Sequence, residues 1–311
     1  MKTNIIVVCG STASGKTGLA IALAKAFGGE VVSADSMQIY RHMNIGTAKP
    51  TKEEMDGIVH HMIDVAEPWE AFSVADFTEQ AHRCIADISG RGKIPIVAGG
   101  TGLYINSLIN DVDFGEIETD EEYRRELAAF AGEQGAEALW DKLREIDPAA
   151  AAAIHPKNVK RVIRAVEFYH TTGKRISVHQ EETRQNESRY RPLMLEIFWD
   201  RPALYERINR RVDLMIQEGL LREMNELVEM GCTREMQSMK GIGYQELFPY
   251  LDGAVSWEDT VALIKRNSRR YAKRQITWFK RDKRIHRLAP GELLLEQAAS
   301  LAGEHLAVSG V

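Results

Sequence analysis

Lys16 and Thr17 close the eight-residue stretch GSTASGKT (residues 10–17), which fills every position of the pattern G-x-x-x-x-G-K-[ST]. These residue types at this spacing make a cradle for phosphate. Gly10 and Gly15 let successive backbone N–H groups turn inward, with Ser11, Thr12, Ala13 and Ser14 supplying the loop between them. The helix expected next adds its positive end, and Lys16 adds a point charge. The Thr17 hydroxyl is placed to bind a Mg²⁺ ion, which suits a diphosphate or a triphosphate. The pattern specifies the phosphate site and leaves the reaction open.

Two further clusters carry chemistry. DSMQIYRHMNIGTAKP (35–50) gathers Asp35, Ser36, Gln38 and Tyr40 in one short loop. A carboxylate, a hydroxyl and an amide together can read the edge of a base and accept a proton from it. Asp35 by itself fits a Mg²⁺ ligand, a base for a hydroxyl, a base for another group, or a helix-capping turn residue. GGTGLY (99–104) brings the Thr101 hydroxyl among glycines, which is equally the pattern of a strand-to-helix turn. The run IPIVAGG ends in glycines rather than in an aspartate, and no N-K-x-D pattern occurs, so a motor-type or guanine-type nucleotidase is disfavoured.

The elements that must position these residues alternate in type. NIIVVC, EVVSAD and KIPIVAGG are apolar throughout and read as buried strands, separated by stretches with helical spacing such as GKTGLAIALAKAFG and VADFTEQAHRCIADISGRG. That order predicts an α/β fold, a P-loop NTPase-like parallel sheet flanked by helices, with ligands at the carboxyl ends of its strands. From about residue 116 to 190 the pattern is helical, and the next strand is LMLEIFWD. We therefore expect a catalytic core of residues 1–115 and 191–311 and a helical insertion domain at 116–190. In the last long helix Val261, Ile264, Ser268, Tyr271, Gln275 and Trp278 form one stripe, while Arg266, Arg270, Lys273, Arg274, Lys280 and Arg281 fall near the opposite side.

Composition sets the remaining bounds. The chain has 311 residues, a net charge of −5 and 44% apolar residues, enough for a large core. The small net charge hides two basic runs. Eleven Lys or Arg and one acid lie between Lys265 and Arg287, and HPKNVKRVIRAVEFYHTTGKR (155–175) holds one acid, Glu167. This balance argues against a general nucleic-acid binder and permits a shaped one, although most charge runs are solvated helix faces. Cys9, Cys84 and Cys232 stand apart, which argues against zinc and disulfides and for a reducing compartment. No apolar run approaches the length of a membrane span. A soluble, cytoplasmic monomer is expected.

Taken in order, GSTASGKT, SADSMQIYRHMNIGTAKP, VAGGTGLY, KGIGYQE (240–246) and KRQITWF (273–279) resemble the bacterial tRNA dimethylallyltransferases over nearly the whole chain. The resemblance implies transfer of a dimethylallyl group from dimethylallyl diphosphate to N6 of an adenosine beside the tRNA anticodon, with Mg²⁺ as cofactor. It implies that residues 10–17 and Arg211 hold the diphosphate, that Thr17 meets the metal, and that Asp35 is the base, with Thr101 beside it. It places tRNA, through the anticodon stem-loop, against Asp35, Ser36, Met37, Gln38 and Thr101; against Val159, Lys160, Arg161, Val162 and Ile163; against Lys240, Gly241, Ile242, Gly243 and Tyr244; and against Lys273, Arg274 and Gln275. Other readings are a small-molecule P-loop kinase, a prenyltransferase acting on free adenylate, and an RNA-binding P-loop protein without chemistry. The kinase leaves the basic runs without a role, and the binding protein leaves Asp35 and Thr101 without one.

Overall fold

The structure is a computed structural model and describes residues 2–112, 120–185 and 187–307. The chain divides into two compact units, Met1–Ile109 with Arg189–Val311, and Asn110–Ser188. The start of the insertion expected at residue 116 lies outside the described residues.

The larger unit is built on a six-stranded sheet in which every neighbouring pair is parallel. Its strands are β1 (Thr3–Cys9), β2 (Gly29–Ser33), β3 (His60–His61), β4 (Ile94–Ala98), β5 (Tyr190–Ile197) and β6 (Ile285–Leu288), in the spatial order β3-β2-β4-β1-β5-β6. Side chains along β1 alternate between two cores. Ile5, Val7 and Cys9 enter one cluster with Phe77, Ile105 and Leu227, while Ile6 and Val8 enter the other with Leu19, Leu23 and Ala302. A strand buried on both faces must be apolar throughout, which is why β1 reads as an unbroken run.

The helices of this unit are α1 (Lys16–Phe27), α2 (Lys52–Met55), α3 (Val74–Gly90), α4 (Gly102–Ile109), then α10 (Arg201–Glu218), α11 (Leu220–Glu229), α12 (Leu247–Leu251), α13 (Trp257–Phe279) and α14 (Leu294–Ala307). Ser73 and Ser256 cap α3 and α13 through their side chains. The helical stretch after residue 201 breaks into α10 and α11 at Gly219, whose φ of 103° lies in the left-handed region. The sequence reading anticipated β1, β2, β4 and β5. It missed β3, a two-residue strand, and β6, an edge strand whose middle residues His286 and Arg287 are exposed.

Helices α5 (Glu121–Gln134), α6 (Ala136–Ile146), α7 (Pro148–Ala153), α8 (Val159–Thr172) and α9 (Ile176–Gln185) make up the second unit, around Leu127, Leu139, Leu143, Val162 and Val166. Two buried carboxylates tie it together. Asp147 accepts from the Ala150 N–H at 3.0 Å and from the Ser177 N–H and hydroxyl at 2.9 and 2.7 Å, and Glu167 accepts from Arg124 Nε at 2.9 Å. Outside this core, α8 presents Lys160, Arg161 and Arg164 to solvent.

Candidate active site

Connections leave β1 and β4 toward opposite edges of the sheet, so a crevice opens beyond their carboxyl ends. The phosphate loop follows β1, the Asp35 loop follows β2, and the Thr101 segment follows β4. Backbone bonds tie them: Ala34 N–H donates to Ala98 O at 2.8 Å, and Thr101 N–H to Ala34 O at 3.3 Å.

In the phosphate loop, Gly10, Ala13 and Gly15 have φ of 125°, 60° and 98°. This left-handed backbone turns N–H groups to one side. Its carbonyls are drawn outward. Lys16 Nζ donates to Ser11 O at 2.6 Å, Arg207 Nε to Ala13 O at 2.8 Å, and the Trp199 indole to Ser14 O at 2.9 Å. Arg207 also stacks over Trp199, 4.3 Å from the ring centre. The Thr12 N–H is already occupied, because it donates to Gln275 Oε1 at 2.8 Å.

The cradle is cationic and has donors to spare. Burial, with the Arg211 charge beside it, pulls the Lys16 ammonium down to about 8, against the opposing Asp35 carboxylate. Arg211 is lowered by burial and supported by the charges of Asp35 and Glu54. Arg211 Nε and the Ser14 hydroxyl are buried without a hydrogen-bond partner among the described residues. An anion with several oxygens would satisfy all of these groups.

Asp35 begins its loop with an Asx turn, in which Oδ1 accepts from Met37 N–H at 2.9 Å and from Gln38 N–H at 3.4 Å. Thr101 Oγ1 accepts from Ser36 N–H at 3.1 Å and lies 3.3 Å from Ser36 Oγ. Tyr271 of α13 lies against Thr101 and Gln275, and burial with the nearby Asp35 charge pushes its hydroxyl up to about 12. It therefore stays protonated at neutral pH. Sequence reasoning placed Tyr271 only in an inward stripe, and nothing local to it signals a neighbour 170 residues away. Trp199 and Arg207 were missed for the same reason.

Several residues expected at an RNA surface are placed elsewhere. Val162 and Ile163 are buried in the second unit's core. Gly241 and Gly243 are buried, Ile242 packs against the main core, and the Tyr244 hydroxyl donates to the buried Glu223 at 2.7 Å. Gln275 faces inward, as its stripe implies, with its amide occupied by Thr12 and Gly100. The Gln38 amide is likewise held between the end of β2 and its own loop, accepting from Ser33 at 3.1 Å and donating to Ala48 O at 3.1 Å. Ser36 and Met37 are half-buried, as is Val159 at the start of α8, while Lys160, Arg161, Lys240, Lys273 and Arg274 are exposed. On α13 and at its C-cap, the exposed Arg266, Arg270, Lys273, Arg274 and Lys280 have no ion-pair partner among the described residues. Arg270, Lys273, Arg274 and Arg281 rim a depression that also includes Trp278.

Chemically, the arrangement can hold a polyphosphate or diphosphate, stabilise its departure, and offer Asp35 as a base for a nucleophile brought to the same crevice.

Comparison with known proteins agrees with this geometry. The IPP transferase family model matches residues 38–282. The chain is 53% identical over 283 residues to the tRNA dimethylallyltransferase of Acetivibrio thermocellus, covering 91% of this chain and 90% of that protein. It resembles the crystal structure of the full-length tRNA isopentenylpyrophosphate transferase from Bacillus halodurans, with a TM-score of 0.74, 46% identity and coverage of 99% and 98%. It also resembles a eukaryotic dimethylallyltransferase captured acting on tRNA, with a TM-score of 0.86, 30% identity and coverage of 99% and 81%. On the extent of these matches, the chain belongs to the IPP transferase family.

Proposed function

We propose that this protein transfers a dimethylallyl group from dimethylallyl diphosphate to the exocyclic N6 of an adenosine next to the anticodon of tRNA. The observation that carries the reading is the meeting of a cationic phosphate cradle with Asp35 and Thr101 in one crevice. Family membership sets the reaction class, and the relatives' names supply the acceptor.

In this reading the adenine N6 attacks the allylic carbon, the carbon–oxygen bond to diphosphate breaks, and Asp35 takes a proton from N6. The amine is a poor nucleophile because its lone pair is delocalised into the ring, so an oriented base is worth about 10²–10⁴-fold. The Asx turn fixes Asp35 Oδ1 on backbone donors and leaves Oδ2 for the proton. Thr101, held by Ser36 and Tyr271, stands beside it for the amine or the bridging oxygen. Lys16, Arg211 and the loop N–H groups other than that of Thr12 receive the charge that develops on the diphosphate.

A Mg²⁺ ion fits this site in one way. Among the described residues no group of three His, Cys, Asp or Glu could hold a metal, and the first turn of α1 is free of acids. Thr17 supplies one hydroxyl there, so the diphosphate itself would provide the other ligands. The ion would add positive charge against the leaving group.

The adenosine must leave its stack to reach a crevice at the sheet edge, so base flipping belongs to the mechanism. Lys160 and Arg161 on α8, with Lys273 and Arg274 on α13, are the proposed phosphate contacts, and Ser36 and Met37 lie where the flipped base would enter. No helix among the described residues is long and apolar enough to cross a membrane. We place the protein in the cytoplasm, acting as a monomer.

The test is to offer the protein dimethylallyl diphosphate and ATP, each labelled on its transferable group, with hypomodified tRNA and Mg²⁺. Label moving from the prenyl donor into tRNA nucleosides supports the reading. Label moving from ATP would make the protein a kinase.

A further inference from the structure

The two loops that this chemistry uses leave different strands, the phosphate loop from β1 and the Thr101 segment from β4. One buried side chain touches both. Gln275 accepts from Thr12 N–H through Oε1 at 2.8 Å and donates through Nε2 to Gly100 O at 2.9 Å. It is 6% exposed and sits one helical turn beyond Tyr271, which lies against Thr101. A β-carbon at Gly100 would lie 2.3 Å from Gln275 Nε2, so a side chain there would displace the amide. Thr12 and Gly100, from two different loops, are thus fitted around one amide on α13.

We infer that Gln275 is a positioning residue that sets the separation between the diphosphate loop and Thr101. The inference rests on the prenyl-transfer reading above. Transfer needs the allylic carbon, fixed at one end by its diphosphate, to meet an amine held beside Asp35 and Thr101. A misplacement of about 1 Å costs on the order of 10² in rate. Glutamine alone among side chains of this length offers one donor and one acceptor on the same planar group. An ionised carboxylate in its place keeps the bond from Thr12 and sets oxygen against the Gly100 carbonyl. A thioether of equal length keeps the packing and makes neither bond. A residue that merely satisfies the core would lower stability when replaced and leave the transfer step alone.

The experiment compares wild type with Gln275→Met and Gln275→Glu in the full chain, using an anticodon stem-loop and dimethylallyl diphosphate. Single-turnover rate, KM for each substrate, stem-loop Kd and urea unfolding are measured together. We expect the transfer rate to fall about 10- to 100-fold in Gln275→Met and further in Gln275→Glu. Stem-loop Kd should stay within about twofold, because Gln275 faces away from the cationic side of α13. Gly100→Ala pushes on the same contact from the other loop and should reproduce the loss of rate even where a Gln275 variant does not fold. Folded variants with a wild-type transfer rate, or with losses confined to KM or to stability, overturn the positioning role and leave the functional reading intact. A wild type that transfers no prenyl group overturns both.

Discussion

The Tyr244 hydroxyl donates to the buried Glu223 carboxylate at 2.7 Å, and that carboxylate also accepts from the N–H groups of Asn44, Ile45 and Gly46 at 2.8, 2.7 and 3.0 Å. The KGIGYQE segment and the loop that begins at Asp35 therefore share one anchor on α11. Gly46 lies against the Tyr244 ring, where a β-carbon would come within 2.5 Å of it. The anchored loop in turn offers Thr47 O to Arg211 at 3.5 Å. Replacing Tyr244 by Phe leaves Glu223 with its three backbone donors and should cost about 1–2 kcal/mol of stability. Urea unfolding checks this, and an unchanged midpoint would mean that the hydroxyl adds nothing to the anchor.

For Asp35→Asn we expect retained fold, retained diphosphate binding and a transfer rate lower by about 10²–10⁴. The asparagine oxygen can still accept from Met37 and Gln38, so the Asx turn survives while the proton acceptor is lost. Single-turnover kinetics separate the two roles. A near-normal rate would remove Asp35 from the proton transfer.

Lys16 makes diphosphate binding pH-dependent with a defined sign. In the free protein its ammonium is held down to about 8, so above that pH the side chain is largely neutral. A bound anion favours the charged form and raises the value. Binding of inorganic diphosphate should then include the uptake of close to one proton by Lys16 above pH 8 and little below it, a contribution that weakens affinity as pH rises. Calorimetry in buffers of different ionisation enthalpy counts the protons. Lys16→Met should abolish the uptake, and persistence of the uptake would assign it to another group.

How much of this was legible in the sequence depends on how far each signal reaches along the chain. GSTASGKT specifies its own backbone, and the unbroken apolar run of β1 announces a strand covered on both faces. The inward and outward sides of α13 also follow from spacing alone. Roles that depend on a distant partner were hidden. Trp199 and Arg207 hold loop carbonyls 185 and 194 residues away, and Gln275 meets Thr12 across 263. The short motifs around Val162 and Tyr244 mix outward charges with core residues, and only the fold separates Lys160, Arg161 and Lys240 from their buried neighbours.

The cationic side of α13 should act on RNA and not on the prenyl donor. Changing Arg270, Lys273 and Lys280 together to Gln should weaken stem-loop binding about equally across sequences. Each lost contact should flatten the plot of log affinity against log salt by about 0.7–0.9. Donor KM should stay at its wild-type value. An unaltered salt slope would return this face to ordinary solvated surface and leave Lys160 and Arg161 as the contacts to test.

On this reading the phosphate cradle serves a prenyl donor whose acceptor is an adenine presented by RNA. The most direct measurement is one transfer assay with labelled dimethylallyl diphosphate and Mg²⁺, run in parallel on a hypomodified anticodon stem-loop and on free AMP. Label is expected on N6 of the adenosine 3′ of the anticodon and none on AMP. Comparable transfer to AMP, or no transfer to the stem-loop, would contradict it.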